Sequence, residues 1–124
     1  MNNTRHPVSF IATHDPAKSE RFYAQIMELT LIERTDFALV FDDHGQALRV
    51  QIVPDLSPVS HTVHGWRVSD IEAEVDALQT KGVIFEIFEY LPQDDTGIWT
   101  TPDGNKVAWF KDPSGNVLSF TQYV

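Results

Sequence analysis

Five histidines, and two arginines set within apolar segments, are the side chains of this 124-residue chain most suited to chemistry. An imidazole can ligate a divalent metal or pass a proton near neutral pH. A guanidinium makes a planar, two-pronged contact with a carboxylate or phosphate. The histidines are His6, His14, His44, His61 and His64; the arginines are Arg49, within 47–53, and Arg67, directly after Trp66. Cysteine is absent, which excludes disulfides, thiolate metal sites and a cysteine nucleophile and fits a reducing compartment. No glycine loop of the phosphate-cradling kind occurs, nor a Gly-x-Ser-x-Gly elbow. Asp94-Asp95 reads as a solvated turn rather than an acid/base pair, and no residue presents itself as catalytic.

The net charge is −9 with a pI near 4.7, and no cluster of Lys or Arg interrupts it. Such a field repels phosphate backbones and anionic lipid, so neither nucleic acid nor a membrane surface is an expected partner. The opening residues lack the apolar run of a signal peptide and no stretch approaches membrane-spanning length. The expectation is a cytoplasmic protein.

The elements that must position these side chains come in a repeat. Val8-Ser9-Phe10-Ile11-Ala12-Thr13-His14-Asp15 and Val63-His64-Gly65-Trp66-Arg67-Val68-Ser69-Asp70 each run from an apolar strand to an aspartate and then to a helix. Asp15 caps the first helix, with Pro16 in its first turn, where a missing N–H costs nothing. Phe22 with Ile26 and Tyr23 with Met27 make its apolar stripe. In the second helix Ser69 and Glu72 have capping-box spacing, Ile71, Val75 and Leu78 recur on one face, and Lys81-Gly82 closes it.

Three strands are predicted after each helix, at about 29–34, 37–41 and 47–53, then about 83–90, 106–111 and 116–123. The last turns align without a gap, Asp42-Asp43-His44-Gly45-Gln46 against Asp112-Pro113-Ser114-Gly115-Asn116. Early segments are offset by 55 positions and late ones by 70, so the second half carries about fifteen extra residues, between Tyr90 and Lys106. The half-repeats span about 6–54 and 61–124, joined by a linker at about 55–60. Neither half supplies more than a marginal core alone, so residues 1–124 are expected to form one domain with pseudo-twofold symmetry.

This order, with Phe22-Tyr23 in the first helix and Trp109-Phe110-Lys111-Asp112-Pro113-Ser114-Gly115-Asn116-Val117-Leu118 near the end, resembles the vicinal oxygen chelate superfamily (glyoxalase, bleomycin resistance protein, extradiol dioxygenase). The resemblance runs from about Val8 to Tyr123. It implies an α+β fold in which two βαβββ modules form a cupped mixed sheet, with helices outside and a pocket inside. It also implies a homodimer, and in many members a divalent metal that binds vicinal oxygens of a substrate.

By the same resemblance, the four metal-ligand positions fall on Val8, Arg49, Val63 and Ser119. Hydrocarbon has no lone pair to offer, a guanidinium repels a cation, and divalent sites need several His or carboxylate donors. The expectation is therefore that the metal centre is absent and no cofactor is held. His6 and His61 share strand parity with the ligand positions, one pleat further out, and stand as the alternative, a displaced metal site. His64 has the opposite parity and is assigned to the helix side, as is Trp66.

Inward parity gives a floor of Val8, Phe10, Ala12, Val63 and Gly65, with Arg49, Gln51, Arg67, Ser119 and Thr121 as polar ligand-binding candidates. Arg49 and Arg67 either grip an anion or pair with Glu33 or Glu86. In the insertion, Gly97 and Gly104 are candidate hinges and Ile98-Trp99 an apolar tip, with Trp99 added to the binding candidates. Trp109 and Tyr90 are further aromatics available for stacking. The function expected is binding or sequestration of a small polar, anionic or aromatic molecule. The alternatives are a metal-dependent lyase, isomerase or dioxygenase, and a metal-free enzyme whose arginine stabilises an oxyanion.

Overall fold

The computed structural model describes residues 4–124. The chain divides into two compact units, the first ending at Pro58 and the second beginning at Val59. The first unit comprises β1 (Val8–Thr13), α1 (Pro16–Arg21), a π-helical turn at Phe22–Ile26, β2 (Thr30–Arg34), β3 (Ala38–Asp43) and β4 (Gln46–Ile52). The second comprises β5 (Thr62–Arg67), α2 (Ile71–Thr80), β6 (Trp99–Thr100), β7 (Lys106–Lys111) and β8 (Val117–Gln122). Each unit forms its own four-stranded mixed sheet, ordered β1-β4-β3-β2 and β5-β8-β7-β6. In both, the first strand runs parallel to the last and the remaining pairs are antiparallel. The architecture is α+β, a βαβββ module occurring twice.

The helix starts repeat closely. Asp15 and Asp70 sit at φ −138° and −141°, and their carboxylates accept from the backbone N–H of Lys18 and Ala73, both at 3.1 Å. Asp70 thus replaces the Ser69–Glu72 capping box expected there. Its carboxylate directly precedes the first helical residue, and Glu72 instead accepts from Lys106 Nζ on β7 at 2.7 Å. That contact lowers the Glu72 pKa and raises that of Lys106.

Alternation sorts each sheet into a helix side and an opposite face. In the first unit Ile11, Leu39, Phe41, Leu48 and Val50 are buried with Phe22 and Tyr23. Tyr23 meets Phe22 edge-on at 5.0 Å and Phe41 at 5.7 Å. Beneath α1, buried Ser19 donates its hydroxyl to Thr13 at 2.7 Å, and Thr13 Oγ1 also accepts from the Asp15 N–H. In the second unit Ile71, Val75 and Leu78 are buried with Phe85, Phe110, Leu118 and Phe120. Trp66 stacks on Phe110 at 6.3 Å and His64 meets Trp66 edge-on at 4.8 Å, which puts both on the helix side as their parity predicts.

Two expectations are corrected. Residues 83–90 are not a strand: only Phe85 bridges to Phe110, and the Glu86 N–H donates to the Trp109 carbonyl at 2.8 Å. The side chain of Gln93 takes over the backbone groups a strand would pair. Its Oε1 accepts from the Phe88 N–H at 2.7 Å, and its Nε2 donates to the carbonyls of Glu86 and Gly97 at 2.9 and 2.8 Å. The strand that follows the helix in this module is instead β6, inside the insertion. The late turns also differ by one residue: Phe41 pairs with Leu48, whereas Phe110 pairs with Leu118. The first turn is a tight hairpin through His44 and Gly45, at φ 54° and 90°. The longer one is organised by buried Asp112, which accepts from the N–H groups of Ser114 and Asn116 and from Asn116 Nδ2.

Candidate functional site

The faces opposite the helices carry every expected binding residue. In the first unit Val8, Phe10 and Ala12 on β1 lie beside Ala47, Arg49 and Gln51 on β4. Val8 is 44% and Phe10 57% exposed, so this face is apolar and open. Arg49 occupies the middle of a row running Phe10, Arg49, Val40, Glu33 across four strands. Among the described residues its guanidinium makes no ion pair and no hydrogen bond. The pairing with Glu33 that would have made it merely structural does not form. Gln51 lies two residues further along on the same side, exposed.

In the second unit two rows cross the sheet. Gly65, Ser119 and Trp109 make one; Arg67, Thr121, Val107 and Trp99 make the other. Arg67 does not pair with Glu86, which faces Lys111 at 3.5 Å. Its guanidinium lies 5.4 Å over the ring of Tyr123 instead, a cation–π contact. Ser119 is buried, its hydroxyl over the space left by the missing Cβ of Gly65. Trp99 and Trp109 stack at 6.2 Å with their planes 24° apart, and Phe88 meets Trp109 edge-on at 5.4 Å. Both indoles are half-buried.

Two members of this face were missed in the sequence. Tyr123 shares the parity of Ser119 and Thr121, a signal that was available. Phe88 had none, because Gln93 rather than a strand ladder fixes its position.

The insertion packs Ile98 into the unit rather than presenting it at an exposed apolar tip. Ile98 is buried, and Gly97, at φ 99°, sits so close to the chain that an added Cβ would come within 3.1 Å of Phe85 Cβ. Asp94 Oδ1 accepts from the N–H groups of Thr96 and Ile98, both at 2.9 Å, and from the Thr96 hydroxyl at 2.7 Å. Partial desolvation pushes the Asp94 carboxyl upward, but these hydrogen bonds outweigh it and hold the pKa below the usual value.

The residues at the four positions where the resemblance would place metal ligands do not suit a divalent ion. Val8 and Val63 offer hydrocarbon, Arg49 a fixed positive charge and Ser119 a single neutral hydroxyl. Val63 also sits at a bulge in the β5–β8 ladder. His6 and His61 are exposed, and among the described residues no group of three or more His, Asp or Glu could hold a metal. No helix among the described residues is long and apolar enough to cross a membrane.

The family model for the glyoxalase/bleomycin resistance protein/dioxygenase superfamily matches residues 5–120. No curated protein matches the chain in sequence. Among solved structures, a glyoxalase/bleomycin resistance protein/dioxygenase from Alicyclobacillus acidocaldarius superposes with a TM-score of 0.72 at 18% identity, over 99% of this chain and 95% of the other. Lactoylglutathione lyase from Agrobacterium tumefaciens gives 0.72 at 16% identity, over 98% and 96%. TioX from Micromonospora sp. ML1 gives 0.71 at 19% identity, over 97% and 99%. At these identities the likeness is one of fold.

Proposed function

Because the chain belongs to the glyoxalase/bleomycin resistance protein/dioxygenase superfamily, we propose that it is a metal-independent member that binds or sequesters a small anionic or polyoxygenated molecule on the helix-free faces of its sheets. The observation that carries this is Arg49, a cation on an open apolar face with no ion pair or hydrogen bond among the described residues. A guanidinium in such apolar surroundings gains more from a carboxylate or phosphate than it would in bulk water. Gln51 lies on the same face and can help fix a ligand's orientation there, and the second unit's own open face carries a separate set of hydrogen-bonding groups, Ser119, Thr121 and Arg67. Trp99 offers an aromatic surface. As a cytoplasmic homodimer, each chain would present the same set of groups.

The test is a thermal-shift series with phosphate, succinate and benzoate. At least one anion should raise the melting temperature in a concentration-dependent way, as mass action requires. Arg49→Ala should shrink the shift. No shift from any anion at millimolar concentration would refute the reading. Light scattering checks the dimer, and a monomer at working concentration would contradict it.

A further inference from the structure

The second unit's open face has a feature that anion binding does not require. Two indoles, Trp99 and Trp109, stack side by side, and Phe88 braces Trp109 edge-on. Phe88 in turn packs against Tyr90 at 5.7 Å. This cluster is separate from the unit's core, where Trp66, Phe85, Phe110 and Phe120 contact one another on the helix side of the same sheet. The indoles stay half-buried although their sheet already has a complete apolar core. Arg67 lies on the same face, and β8 alone separates its strand from that of Trp109. Arg67 and Trp109 are therefore roughly 12 Å apart at the backbone, two strand spacings across the sheet and two residues along it, a gap that the two long side chains narrow. Ser119 and Thr121, on the intervening strand, present hydroxyls between them. Tyr123 holds the guanidinium by its ring, an interaction that leaves the planar fork available for a carboxylate.

Resting on the binding role proposed above, we infer that this face selects a planar aromatic acid, its rings stacked on the Trp99–Trp109 pair and its carboxylate on Arg67. An aliphatic anion satisfies Arg67 but leaves the indoles bare. A neutral aromatic does the reverse. Both are bound more weakly than a molecule that carries the two groups about one bicyclic ring apart.

Three probes separate the contributions: 2-naphthoate, cyclohexanecarboxylate and neutral 2-naphthol, titrated into the full chain by intrinsic fluorescence and calorimetry. Trp66 is on the helix side and provides a background emission that the ligand should not quench. The expected result is quenching by 2-naphthoate, with the other two bound about tenfold or more weakly. Trp99→Leu and Arg67→Gln should each weaken 2-naphthoate by roughly tenfold, and Arg67→Gln should leave 2-naphthol unchanged. Arg67 is exposed, so its variant folds even where a tryptophan replacement does not. Equal affinity for cyclohexanecarboxylate and 2-naphthoate would overturn the aromatic selectivity while leaving anion binding intact. Undiminished binding of 2-naphthoate by Arg67→Gln would overturn the placement of its carboxylate. Failure of all three probes would overturn this inference, and the anion-binding role would fall with it only if phosphate, succinate and benzoate also fail.

Discussion

Gly65 and Ser119 are register partners on the parallel strands β5 and β8, and the Ser119 hydroxyl lies 2.7 Å from the point a Gly65 Cβ would occupy. The Ser119 carbonyl oxygen is 3.0 Å from the same point. A side chain at 65 and a hydroxyl resting on the sheet at 119 therefore compete for one volume. The hydroxyl occupies it because position 65 is glycine, and this arrangement builds the polar centre of the second unit's open face.

Gly65→Ala is expected to destabilise the protein by about 1–3 kcal/mol through overpacking, measured by urea denaturation. Combining it with Ser119→Ala should recover part of that loss, since the hydroxyl is the closer obstacle. The backbone oxygen remains, so recovery should be incomplete. Full additivity of the two changes would show that they do not share the space.

Gln93 serves three backbone groups at once, those of Glu86, Phe88 and Gly97. Gln93→Leu keeps the approximate volume but leaves these groups without their partner. A cost of about 1–3 kcal/mol follows, together with faster amide hydrogen exchange at Phe88. Unchanged exchange there would mean that another group holds the segment.

Asp94 ties down the insertion that supplies β6. Asp94→Ala should cost about 1 kcal/mol, at the low end for a carboxylate hydrogen bond because the group is solvent-exposed. The pH dependence has a definite sign. The folded pKa is depressed, so the stabilisation is present above the unfolded value and is lost as pH falls through the folded one. The stability gap between the parent and Asp94→Ala should therefore close on acidification. A gap that widens at low pH would contradict this.

The repeat, the strand parity and the first capping aspartate were legible because they depend on local patterns. Alternation placed Trp66 on the helix side of its sheet and Arg49 on the open face of its own, and a short acid before an apolar helical stripe marked Asp15. At the second helix the Ser69–Glu72 spacing pointed one residue short of the actual cap, Asp70. The segment 83–90 was not legible. Val83, Phe85 and Ile87 alternate as a strand would, but a glutamine five residues after Phe88 satisfies its backbone from the side. Nor did the two tight turns reveal their different lengths. Asp43-His44-Gly45 and Asp112-Pro113-Ser114-Gly115 both close on a glycine with positive φ, and only the strand register exposes the extra residue. The fates of Arg49 and Arg67 turned on which nearby groups lay within reach. Lys111 pairs with Glu86, and the Tyr123 ring lies under Arg67.

The most direct test of metal-free anion binding is calorimetric titration of chelator-treated protein with whichever of phosphate, succinate or benzoate gives the largest thermal shift, alongside Arg49→Ala. Affinity should survive removal of divalent ions and fall about tenfold or more when the guanidinium is deleted. Binding that disappears with the chelator and returns on adding a divalent metal, with Arg49→Ala indistinguishable from the parent, would contradict the account.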